Sequence, residues 1–229
     1  MRCLFLDLAS HSGLLACVTE ERVIASEDSN HRIGDHELIP LFEKTLQAAG
    51  WKADGLTHCA CVIGPGGFMS LRVAVAFANT LIHQLKVPGA GIHLSDLYAA
   101  RTPHPSLGCA RDTLSRGERD GERSEKNKEL LWLHSTKKHE LFVRGFGSYA
   151  SLWPKAAHVT VKEFLLHAAE IRESPLRWCG ELIPEHEALF KEKELQPVVL
   201  CPLADVLPAF LGKQTFTEKL LEPWYGRSW

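Results

Sequence analysis

The apolar positions of this chain fall into short blocks separated by polar punctuation. "CLFLDLA", from Cys3, is an apolar run interrupted by Asp7, and "LLACVTEERVIASED" reads as two strands joined by a tight polar turn at Glu20, Glu21 and Arg22. Together they predict three antiparallel strands. In "DHELIPLFEKTLQAAG" the residues Leu38, Phe42, Leu46 and Ala49 recur on one helical face. Gly50 is its stop, and Pro40 either marks the helix start or kinks its first turn. "LTHCACVIG" lacks polar alternation, as a strand covered on both faces does. A glycine-rich stretch and a long helix follow, then "VPGAGIHL" as another short strand and "SDLYAAR" as the opening of a helix capped by Ser95. The order β-β-β-α-β-α-β-α is one half of a layered α/β domain.

The pattern changes after Arg101. "TPHPSLGCARDTLSRGERDGERSEKNKE" is rich in Pro, Gly and charge and poor in apolar groups, which predicts a linker or inserted loop. Periodicity resumes with a hairpin around Lys137 and Lys138 in "LLWLHSTKKHELFVRGFG". A strand end and short helix in "VTVKEFLLHAAE", a strand in "PLRWCGELI" and a helix in "PEHEALFKEKEL" follow, before an irregular tail, "LEPWYGRSW". The expected organisation is an N-terminal lobe over 1–101, a charged loop over 102–129, and a smaller, less regular C-terminal lobe over 130–229.

The glycine-rich stretch, "VIGPGGFMSLRVAVAFANTLIHQL" from Val62, invites comparison with phosphate-binding loops. A Walker loop needs a Lys-Ser/Thr pair after its last glycine, and Phe68, Met69 and Ser70 stand there instead. The dinucleotide pattern fails too, because "GPGGFM" lacks the final glycine and contains a proline. Gly64 to Gly67 are therefore read as a tight turn from strand to helix. The helix itself carries two apolar stripes, one through Leu71, Val75, Ala78, Ile82 and Leu85, the other through Ser70, Ala74, Phe77 and Leu81. Polar residues keep to a strip through Arg72, Asn79, His83 and Lys86. Covering a sheet needs one stripe, so the second implies either burial beneath another lobe or a protein partner.

Composition narrows the chemistry. With 229 residues and a formal net charge of −2, the chain can bury a sizeable core and has no overall field to attract nucleic acid. The seven cysteines form no C-x-x-C pair and fit a reducing compartment. Cys59 and Cys61 alternate along an apolar strand, as packing thiols do. None of the twelve histidines pairs at i, i+4 spacing, so no metal site is expected. Asp7 with Ser10 and Ser12 could contact a magnesium-bound phosphate, or could simply form a turn at the strand end. No signal-like or membrane-length apolar run occurs, which predicts a soluble cytoplasmic protein.

These residues resemble the TsaB (YeaZ) family, accessory subunits of the bacterial machinery that makes threonylcarbamoyladenosine in tRNA. The family signature, roughly G-P-G-S-F-T-G-L-R-hydrophobic-G, is matched by Gly64, Pro65, Gly66, Phe68, Leu71, Arg72 and Val73. Asp7 with Ala9 and Ser10, then His36, Leu38 and Pro40, match the family's opening strand and first helix. Pro223, Tyr225 and Arg227 match its closing P-x-Y-x-R. Gly67, Met69, Ser70 and Ala74 stand where the family has Ser, Thr, Gly and Gly, and the loop from Gly108 to Glu129 is longer. Losing two glycines at the start of the helix changes how closely a partner helix can approach.

The resemblance implies an actin-like ATPase (ASKHA, RNase H-like) fold of two lobes, each a mixed sheet with helices. It implies a non-catalytic scaffold that binds a TsaD-type catalytic subunit through its first two helices, joined by a TsaE-type ATPase, with tRNA reached through the complex. This chain would then need no cofactor. ATP and a metal ion belong to the partner, whose H-x-x-x-H pair is reduced here to His93. The expected interface is Leu38, Phe42 and Leu46 on the first helix and Leu71, Arg72, Val75, Ala78, Ile82 and Leu85 on the second, launched by a turn at Gly64, Pro65, Gly66 and Phe68. Arg72 would fix the turn or the partner contact, and solvation is its plain alternative. Three further readings stay open: an ATP-dependent phosphotransferase of the same superfamily, a glycoprotease-like hydrolase, and a homodimer through the same helices.

Overall fold

The computed structural model describes residues 1–29, 33, 35–103, 129–171 and 175–226. Most of the charged loop expected over 102–129, and Arg227 of the closing motif, lie outside the described residues. The chain divides into two compact units, Met1–Leu97 with Pro202–Tyr225, and Tyr98–Cys201.

The first unit is built on a five-stranded sheet. Its strands are β1 (Cys3–Asp7), β2 (Gly13–Val18), β3 (Val23–Ser29), β4 (His58–Gly64) and β5 (Gly89–His93), in the spatial order β3-β2-β1-β4-β5. The three antiparallel strands expected from the N-terminal pattern are there, with Phe5 opposite Ala16 and Leu15 opposite Glu27. β4 and β5 join as parallel neighbours, Leu4 beside Cys59 and Ala60 beside Ala90. β1 and most of β4 are buried along their length, which is why neither shows polar alternation in the sequence.

Two long helices cover one face of this sheet. α1 (Asp35–Ala49) passes through Pro40, so the proline does not mark its start, and Gly50 follows with φ 67°. α2 (Phe68–Leu85) packs on β4 and β1. Phe42 of α1 and Phe77 of α2 meet edge to face at 5.3 Å between ring centroids. Beneath them Leu4, Leu6, Cys59 and Cys61 of the sheet join Leu38, Leu46, Val75 and Ile82 in one core. α3 (Leu94–Ala100) begins one residue before Ser95, which is therefore inside the helix and not its cap.

The C-terminal segment departs from the expected organisation. It was expected to close the lobe over 130–229, but Pro202–Tyr225 folds into the first unit. Here α6 (Leu203–Leu211; α4 and α5 belong to the second unit) packs on β3, burying Val206, Leu207, Phe210 and Leu211. The physical reason is the apolar content of "LADVLPAFL", which needs a sheet face to cover. Further on, Thr217 bridges Gly89 at the edge strand β5.

The second unit is more regular than its sequence pattern suggested. β6 (Leu130–Lys137), β7 (Glu140–Phe146), β8 (Ala157–Thr160), β9 (Arg177–Glu181) and β10 (Gln196–Pro197) form a second five-stranded sheet, ordered β10-β9-β6-β7-β8. β6, β7 and β8 are antiparallel neighbours, while β9 and β10 run parallel to β6. This is the pairing scheme of the first sheet repeated strand for strand. α4 (Val161–Glu170) and α5 (Pro184–Glu192) stand in the places of α1 and α2 in chain order. Thr160 and Glu163 cap α4 reciprocally, the Thr160 side chain accepting from Glu163 N–H at 3.1 Å and Glu163 Oε2 accepting from Thr160 N–H at 2.7 Å.

Candidate functional site

The glycine turn sits between the end of β4 and the start of α2, and its close neighbours explain its composition. The peptide between Gly64 and Pro65 is cis. Gly64 has φ 137°, and a side chain there would collide with the carbonyl oxygen of Trp224. A Cβ on Gly66 would stand 2.7 Å from both Cα and O of Ala9. The space beside these two glycines is filled by the chain's own backbone. The turn reading thus accounts for them without a phosphate.

The C-terminal tail is the other half of this arrangement. Trp224 N–H donates to the Ile63 carbonyl at 2.7 Å, and the Trp224 ring stands edge-on to His93 at 4.5 Å. Tyr225 packs on Phe68 at 5.0 Å, and the Arg72 guanidinium lies over that ring, 5.4 Å from the centroid. Arg72, otherwise exposed, therefore braces the turn. Asn79 of α2 holds Leu221 twice, donating to its carbonyl at 3.0 Å and accepting its N–H at 2.8 Å. Nothing in the spacing of the sequence singles out Asn79 for this, beyond its being a polar residue on a mostly apolar helix.

The expected interface residues are not a surface. Leu38, Phe42, Leu46, Leu71, Val75, Ala78 and Ile82 are each at most 8% exposed, and Leu85 packs against the same core. They hold α1 and α2 to the sheet, so they are core residues and not the docking residues that the sequence led us to expect. The reason is that both stripes of α2 repeat at the same alternating spacing, and packing on the sheet takes the one through Leu71, Val75, Ala78 and Ile82. What α2 presents outward is the line Met69, Arg72, Ala76 and Thr80, with Val73 and Phe77 half-buried beside it. Phe68 and Met69 are 48% and 63% exposed, and Ile39 of α1 is 50% exposed. Ile39 lies one turn before Phe42 and Val73 one turn before Phe77, so the two helices, which run parallel, carry these residues at a similar level.

The remaining candidate chemistry resolves as local structure. Asp7 Oδ1 accepts the N–H groups of Ala9 at 2.8 Å and Ser10 at 3.1 Å, while Ser10 Oγ donates to Oδ2 at 2.6 Å. That is a turn-forming carboxylate at a strand end. His93 Nδ1 lies 2.8 Å from Ser95 Oγ. The Cys59 thiol is pushed up to about 12 by burial, and Cys61 well above its ordinary value by burial first and by the neighbouring Cys59 and Asp7 second. Both stay as neutral packing groups. No described helix is long and apolar enough to cross a membrane.

Comparison with known proteins adds to this geometry. A family model described as TsaD: tRNA N6-adenosine threonylcarbamoyltransferase matches residues 28–108. Over nearly the whole chain the fold is similar to that of two solved structures. One is described as an uncharacterized protein with similarity to peptidase YeaZ from Pseudomonas aeruginosa, 16% identical, covering 99% of each chain with a TM-score of 0.62. The other is YeaZ from Pseudomonas aeruginosa, 15% identical, covering 97% of this chain and 99% of its own, with a TM-score of 0.59. The fold is the actin-like, RNase H-like one, two mixed five-stranded sheets with helices, as the TsaB (YeaZ) resemblance implied.

Proposed function

We propose that this chain is a TsaB-type scaffold subunit, which binds and stabilises a TsaD-type catalytic subunit in the synthesis of threonylcarbamoyladenosine beside the anticodon of tRNA. The observation that carries the reading is the outward face of α1 and α2, where Ile39, Phe68 and Met69 are about half exposed or more on a helix pair already anchored to its own sheet. Exposed apolar groups grouped on adjoining helices mark protein contacts. Ala76, at the middle of that face, lets a partner helix approach closely.

The chain itself acts without catalysis in this reading. Asp7, the carboxylate placed where a phosphotransferase would hold magnesium, is engaged in its own turn, and the glycine turn is filled by Ala9 and Trp224. ATP and a metal ion belong to the partner, a TsaE-type ATPase joins the pair, and tRNA is reached through the complex in the cytoplasm. Without the partner, two copies would meet through the same helices.

The test is light scattering coupled to size-exclusion chromatography, on the chain alone and mixed with the TsaD-type subunit of the same genome. The expected result is a heterodimer that replaces any homodimer. Ala76→Arg, an exposed helix position where arginine is well tolerated, should weaken that complex by roughly 100-fold while leaving the melting temperature unchanged. A complex untouched by Ala76→Arg would move the interface elsewhere. No complex at all, across the concentration range, would remove the scaffold reading.

A further inference from the structure

The second unit carries a groove of about 970 Å³ that nothing in the proposed function uses. α4 and α5 meet in the core through Phe164 and Phe190, 5.3 Å apart, the same separation at which Phe42 and Phe77 join their counterparts. Outside that contact the two pairs differ. α5 has nine residues where α2 has eighteen, so it covers less of its neighbour. Leu165 stays partly exposed and Leu166 is 61% exposed. Together with Leu176 and Leu195 they make the groove apolar.

Its direction and charge follow from the strand register. Thr160 pairs with Glu140 beside the β6–β7 turn, and α4 runs from there back toward Leu176, which precedes β9. The groove lines α4 from one end to the other, about 15 Å at 1.5 Å per residue. Lys138 and Lys162 stand at the first end and Lys193 at the second, and among the described residues no carboxylate lines it. Lys138 and Lys193 have glutamate neighbours outside the lining, Glu185 at 3.0 Å and Glu192 at 3.7 Å. Such exposed pairs are worth little and exchange readily with an incoming anion.

From this we infer that the groove is a docking site for an acidic amphipathic helix of another protein. A leucine-lined trough about as long as three helical turns matches side chains at i, i+3 or i+4, and i+7. Lysines at both ends match carboxylates flanking that stripe. An extended peptide adding to a sheet would need a strand edge along the groove, and of the lining residues only Thr160, the last of β8, belongs to a strand. Apart from His139, the lining gives a nucleic acid no ring to stack on. The site stands on the second unit and does not depend on the scaffold reading.

The experiment uses the whole chain and a fluorescein-labelled helical peptide, with leucines at i, i+3, i+4 and i+7 and glutamates on its polar face, followed by fluorescence anisotropy. A second peptide carries lysines in place of the glutamates. The acidic peptide is expected to bind with a dissociation constant on the order of 10 μM, the basic one at least tenfold more weakly. Leu166→Asp should weaken the acidic peptide roughly tenfold or more with an unchanged circular dichroism spectrum, since the side chain it replaces is mostly exposed. Lys162→Glu should weaken it too, and added salt should mimic that loss. The inference is overturned if neither peptide saturates at millimolar concentration, if both bind alike, or if Leu166→Asp changes nothing. It is also overturned if dodecanoate occupies the groove and the peptide does not, or if Leu166→Asp abolishes self-association that the peptide cannot compete with.

Discussion

Val75 and Ala76 are neighbours in the chain and lie about 100° apart around α2, Val75 4% exposed within the core and Ala76 on the open face. A carboxylate at Val75 would be buried among Leu4, Leu6, Cys59 and Ile82 of the same cluster, with no partner to offset its desolvation. Val75→Asp is therefore expected to cost at least about 3 kcal/mol, a large share of the roughly 5–15 kcal/mol that holds a domain folded. Urea denaturation followed by circular dichroism would show a midpoint far below that of the parent, or a chain unfolded without denaturant. A midpoint within experimental error of the parent would mean that α2 is turned the other way. Helical periodicity alone could not decide this. It gives two apolar stripes on α2, and only the position of the sheet tells which one is covered.

At the scale of elements, the parts that were legible are those whose stabilising contacts are close in sequence. The β2–β3 turn at Glu20 to Arg22, the hairpin at Lys137 and Lys138, and α1 with its stop at Gly50 all follow from local pattern. The tail was not legible, because what orders it lies far away. Asn79 and Leu221 are 142 positions apart, and a chain such as "QTFTEKLLEPWYG" carries no period of its own. The same holds for Gly64, whose glycine is required by a carbonyl from Trp224. Asn79→Ala removes both hydrogen bonds to Leu221 and should cost about 1–3 kcal/mol. The effect should be local. Amide hydrogen exchange at Leu221 and Trp224 is expected to accelerate by tenfold or more while the N–H groups of β1 and β4 keep their protection. Uniform acceleration across the first unit would show instead that the tail and the sheet open as one.

At the scale of the whole molecule, chain order and structural unit do not coincide. The composition shift after Arg101 is real, yet the first unit is completed by Pro202–Tyr225, which arrives after the second has been traversed. α6 brings Leu207, Phe210 and Leu211 to that unit, all nine-tenths buried or more, and its loss would bare the sheet face it covers. A chain ending at Arg101, the boundary the composition suggests, should therefore fail to fold cooperatively. It should bind hydrophobic dyes and show a broad thermal transition. Joining Leu97 to Pro202 through a short Gly-Ser linker should restore a single sharp transition, because it returns α6 and the tail to their sheet. If the 1–101 chain melted as sharply as the joined one, the C-terminal segment would be an accessory to the first unit and not part of its core. The outward face of α2 proposed for the partner would then be expected to form without Trp224 and Tyr225, and Phe68 would depend on Arg72 alone for its position.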